Sequence, residues 1–77
     1  MYYKSLDKAN KGEIVHEEDA FDYAWDKVSN SEEEQTDFLR CFGEDFSTMA
    51  STIISDEEAK DDFVEWFFSG NWLEVEE

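Results

Sequence analysis

Carboxylates are the residues of this chain whose spacing could do chemistry. Glu18, Asp22 and Asp26 recur at steps of four, Glu57, Asp61 and Glu65 repeat that spacing, Glu58 and Asp62 run beside them, and Glu33 and Asp37 give a shorter version. On a helix rising about 1.5 Å per residue, a step of four sets acids about 6 Å apart in a line. Paired carboxylates serve acid–base and metal chemistry, but such work needs one pair set apart by its surroundings. With 22 Asp and Glu residues, neighbouring acids are unavoidable, and no pair is distinguished by an apolar setting. A line of acids has a second use. Duplex DNA presents one negative charge per roughly 1.7 Å of axis, counting both strands. Two or three acidic helix faces approximate such an array in sign and spacing, and a surface rich in Lys and Arg would accept them.

Other chemistry is hard to assemble. His16 and Cys41 are the sole residues of their types, so one chain cannot build a Cys/His zinc site. Cys41 lies in the helical stripe with Leu39 and Phe42 and is expected to be a buried, inert thiol. His16, just ahead of Glu17 and Glu18, is expected at the surface near a helix start. The glycines, Gly12, Gly43 and Gly70, are too scattered for a phosphate-cradling loop, and the calcium-loop spacing of acids before a glycine does not occur. The expectation is a non-enzymatic protein with no catalytic residues, no cofactor and no dedicated metal site.

The acids far outnumber the bases, 22 to 6, for a formal charge of −16. Residues 1–12 carry Lys4, Lys8 and Lys11 against Asp7, a net +2, whereas residues 13–77 carry 21 acids against Lys27, Arg40 and Lys60, a net −18. The acidity thus belongs to the folded body, where self-repulsion costs stability. Aromatic residues make up 17% of the chain. Each such ring removes about 150–250 Å² from water when buried, which argues for a packed core against disorder. A lone cysteine and the lack of a signal-like or membrane-length apolar run point to a soluble protein of a reducing, cytoplasmic compartment.

The elements that position the acids are helices. One domain spans 1–77, with an arm or short β-hairpin over 1–15 around the turn signal Asn10-Lys11-Gly12 and an acidic helical body over 16–77. Ala20, Phe21, Ala24, Trp25 and Val28 form an apolar stripe and predict a helix over 17–29. Ser31 with Glu34, and Ser55 with Glu58, read as capping boxes opening helices over 31–42 and 56–69. Between them Phe46, Met49, Ile53 and Ile54 predict a helix over 44–54, with Gly43 either breaking it from its predecessor or lying inside one longer helix. The fold class expected is all-α, a compact bundle of three to four short helices. Trp66 and Phe68 would stand about 160° apart around a continuing helix. Either Trp72 and the tail cap one side, or one of Trp66, Phe68 and Trp72 is an exposed partner contact or dimer contact.

Small size, acidic stripes on short helices, an aromatic core and no catalytic motif make Glu13 to Glu77 resemble the phage-encoded DNA-mimic inhibitors, a group that includes many anti-CRISPR and antirestriction proteins. The resemblance implies occupancy of the basic nucleic-acid-binding groove of a CRISPR–Cas effector or a restriction enzyme, inside an infected bacterial cell, in competition with DNA. The alternative function is an acidic adaptor or regulator that binds a basic host protein, such as an RNA polymerase subunit, through an aromatic patch. Adaptation to high intracellular salt would also produce an acidic surface.

Overall fold

The computed structural model describes residues 1–6 and 12–76. Elements follow in the order β1 (Tyr2–Ser5), β2 (Ile14–His16), α1 (Glu17–Ser29), α2 (Glu32–Phe42), α3 (Phe46–Ser55), α4 (Glu57–Phe67) and β3 (Trp72–Val75). The four helices match the predicted spans closely. The small sheet makes the fold mostly helical and not purely all-α.

The sheet is antiparallel in the order β2-β1-β3, so the N-terminal strand is central. Tyr3 pairs with Val15 on one side and Glu74 on the other, and Ser5 with Trp72. Val15 and Ser5 are buried on the face turned to the helices, while Lys4, Ile14 and Leu73 are exposed on the other, as the period-two alternation of strands requires. The N-terminal segment is therefore a hairpin. The Asn10-Lys11 part of its turn signal lies outside the described residues; Gly12 takes a positive φ of 89°. Leu6 N–H donates to Asn71 C=O at 2.7 Å and so extends the ladder that holds the C-terminal tail.

The helix boundaries have local causes. Ser31 Oγ accepts from Glu34 N–H at 3.3 Å at the start of α2. Gly43 ends α2 in the left-handed region, at φ 77°, with its N–H on Leu39 C=O at 2.8 Å. The chain breaks there, as glycine at this position favours. The second capping box is displaced by one residue. Asp56, not Ser55, caps α4, accepting from Glu58 N–H at 2.9 Å and Ala59 N–H at 3.4 Å. Ser55 is instead the last residue of α3, its hydroxyl donating to Ser51 C=O at 2.8 Å. A carboxylate is the stronger acceptor at a positive helix end.

α1 packs against α2, α4 and the sheet through Ala20, Ala24 and Val28, all buried, and its alanines let neighbours approach closely. Phe38 of α2 and Phe63 of α4 are fully buried at the centre. The Phe38 ring stacks on Phe42 at 4.4 Å and meets Trp66 edge-on at 5.4 Å and Phe46 at 5.6 Å. A second aromatic group joins the sheet to the helices: Tyr3 stacks on Phe68 at 4.1 Å, and Trp72 meets Phe68 at 4.9 Å and Tyr23 at 5.5 Å. Rings at such separations add about 0.5–1.5 kcal/mol per pair beyond burial. Aromatic content thus compensates for the small number of fully buried residues.

Candidate partner-binding surface

Apolar residues turn inward on each helix and leave the acids outside. On α1, Glu18, Asp22 and Asp26 are exposed, opposite the buried Ala20, Ala24 and Val28. On α4, Glu57, Glu58, Asp61, Asp62 and Glu65 are all exposed, opposite the buried Phe63. Successive residues turn by about 100°, so Asp61 and Glu65 point almost directly away from Phe63. Glu33 on α2 is exposed and Asp37 is half-buried.

What the bases do decides whether these acids stay uncompensated. Among the described residues the one ion pair joins Arg40 to Asp37, at 3.3 Å and well exposed, where it contributes little. Lys27 places its ammonium 5.3 Å from the centre of the Tyr23 ring, and Lys60 lies 5.3 Å from that of Phe21. The helical body's two lysines therefore cover aromatic rings. Among the described residues no ion pair reaches the ridges of α1 and α4, whereas Asp37 on α2 has Arg40 beside it.

α1 and α4 are neighbours, with Phe21 and Phe63 rings 6.0 Å apart. Between these helices and the inner face of the sheet lies a groove of about 660 Å³. Tyr3, Ala20, Phe21, Val64, Phe68 and Trp72 give its apolar lining; Glu17, Lys60, Asp61, Glu65 and Glu74 give its charged one. Asp61 and Glu65 thus join Glu17 and Glu74, which had no place among the expected contacts. Glu17 reads in the sequence as helix-start chemistry, and Glu74 falls in a tail whose pairing with β1 has no local signal. Asp37 lines a separate hollow with Arg40, Cys41 and Trp66, so the α2 acids are not part of this groove.

Burial raises the pKa of Tyr3, and the carboxylates of Glu74, Glu17 and Glu65 push it further. Burial likewise drives Tyr23 up to about 12, assisted by its hydrogen bond to the Glu13 carboxylate and by that group's charge. Glu34 is raised by burial first, then by Asp37 and Glu33, which together outweigh the helix dipole that would favour its ionised form.

Three further expectations are corrected or resolved. Phe68 is buried at 5% exposure under Trp72 and the tail, the first of the two arrangements the sequence leaves open. Trp66 and Trp72 are half-buried and packed against the core. Cys41 is exposed, not buried, because α2 turns Phe38 and Phe42 inward and leaves Cys41 on the flank. His16 is exposed, as expected, and meets Tyr2 edge-on at 6.0 Å, in a different hollow from Cys41. Among the described residues no three His, Cys, Asp or Glu side chains are grouped to hold a metal ion, and no helix is long and apolar enough to cross a membrane. Comparison with protein-family models, with curated proteins and with solved structures finds no match.

Proposed function

We propose that this chain is a non-enzymatic inhibitor that mimics the charge of DNA and occupies the basic nucleic-acid-binding groove of a defence complex, a CRISPR–Cas effector first and a restriction enzyme second. One observation carries the reading: adjacent helices α1 and α4 present ridges of exposed acids while the lysines beside them lie over rings. Along each of these two neighbouring helices the exposed acids make a negative strip. Such a strip attracts a Lys- and Arg-rich groove over a long range, with fast, salt-sensitive association. It competes with DNA and does not bind it, since like charges repel.

A contact centred on the Trp66, Phe68 and Trp72 cluster alone draws less support, because Phe68 is buried and Trp66 and Trp72 are half-buried against the core. The test is displacement of DNA from the effector complex. The parent chain should release bound duplex, whereas reversal of Asp61, Asp62 and Glu65 to Lys should abolish release while leaving the helical circular-dichroism spectrum intact. Undiminished inhibition by the reversed chain would refute the mimicry.

A further inference from the structure

The groove between α1, α4 and the sheet has a mixed chemistry that a plain charged strip does not need. Its acids come from separate elements: Glu17 begins α1, Asp61 and Glu65 lie on α4, and Glu74 lies on β3. Its rings, Tyr3 and Phe21, are half-buried: Tyr3 stacks on Phe68 with one face, Phe21 packs against Trp25 and Phe63, and each keeps part of its surface open. The groove also shows what it accepts, since the protein's own Lys60 sets its ammonium over Phe21. Its lining holds this one cation against four carboxylates, so the groove keeps a surplus of negative charge beside apolar surface. The raised pKa of Tyr3, driven in part by Glu74, Glu17 and Glu65, reports the same field from inside.

We propose that this groove seats an arginine side chain of the basic partner, its guanidinium plane against the rings and its N–H groups on the surrounding carboxylates. The inference rests on the reading that the chain docks on a basic protein. Arginine fits better than lysine, because its planar, weakly hydrated head stacks on aromatic faces and donates two parallel hydrogen bonds to a carboxylate, whereas an ammonium does neither.

The experiment titrates the labelled full chain with the blocked tripeptide acetyl-Gly-Arg-Gly-amide and follows its NMR signals. The control peptide carries citrulline, which keeps the shape and removes the charge. Saturable shifts at Tyr3, Phe21 and Trp72 are expected with arginine, with affinity on the order of millimolar for so small a probe, and none with citrulline. Glu17→Gln with Glu74→Gln, which leaves the ridges intact, should weaken the peptide by about fivefold, the scale of exposed ion pairs. Asp22→Asn with Asp62→Asn, outside the groove, should change it less than about twofold. Equal binding of citrulline, shifts that follow the ridges, or an unaffected Glu17/Glu74 variant would each overturn the proposal. Failure here with intact DNA displacement would remove the groove and leave the mimicry; peptide seating without any DNA displacement would do the reverse.

Discussion

Replacing Asp22 and Asp61 by Asn should stabilise the protein, and by an amount the ridges themselves define. Each is the middle acid of a line, so the two substitutions remove the pairs Glu18–Asp22, Asp22–Asp26, Glu57–Asp61 and Asp61–Glu65. Two charges about 6 Å apart in water repel by about 0.7 kcal/mol, reduced to about 0.4 kcal/mol by 0.1 M salt. The same residues in an unfolded chain stand about 11 Å apart and keep only about 0.1 kcal/mol. The net relief is about 0.25 kcal/mol per pair, or about 1 kcal/mol in all, which corresponds to a rise in Tm of about 4–8 °C for a domain of this size. Asn and Asp have similar helix propensities, so the exchange is nearly neutral otherwise. Thermal unfolding followed by circular dichroism in 0.1 M and 1 M NaCl measures it. In 1 M salt the difference should fall to about 0.3 kcal/mol, because the screening length drops to about 3 Å. An unchanged or lower Tm at low salt, or a difference that persists in 1 M salt, would refute the picture of self-repelling lines of charge maintained at a cost to stability.

Other substitutions test the scaffold. Phe38→Ala removes the fully buried ring at the centre of the core and should cost about 3–5 kcal/mol, a large share of the roughly 4–11 kcal/mol available to a chain of this length, as read from urea unfolding. Gly43→Ala meets no atom within 4 Å of the added carbon, so its cost is that of the left-handed backbone alone, about 1 kcal/mol in the same assay. The Tyr23 phenol has its folded pKa raised to about 12 from an ordinary 10.0, so its contribution to stability is complete below pH 10 and is lost as pH rises toward 12. Late phenolate absorbance should shrink in Tyr23→Phe while the contribution of the raised Tyr3 remains, and that variant should lose stability less steeply across the same interval.

The helices were legible because each carries its own signal. A stripe such as Ala20–Ala24–Val28, the Ser31 cap and the left-handed Gly43 are local features that need no partner to be read. Strand β3 was not, since Trp72-Leu73-Glu74-Val75 does not alternate apolar and polar residues and its stability comes from a register with β1 seventy positions away in sequence. The shift of the second cap from Ser55 to Asp56 was equally hidden, because either side chain could serve and only the end of α3 decides. For the site, sequence spacing placed the α1 and α4 ridges, whose exposure needs only helical periodicity. Glu17 and Glu74 entered the groove through tertiary contacts, Phe68 was settled by the tail that covers it beyond the end of α4, and Cys41 departed from its expected burial because it lies on an exposed helix flank.

The most direct measurement of the central claim is the anisotropy of a labelled DNA duplex bound to a CRISPR–Cas effector complex, titrated with this protein over a range of salt concentrations. Mimicry predicts release of the duplex, weakening steeply as salt rises, and no release by the chain in which Asp61, Asp62 and Glu65 are Lys. A duplex that stays bound throughout, or is released equally by the reversed chain, would contradict it.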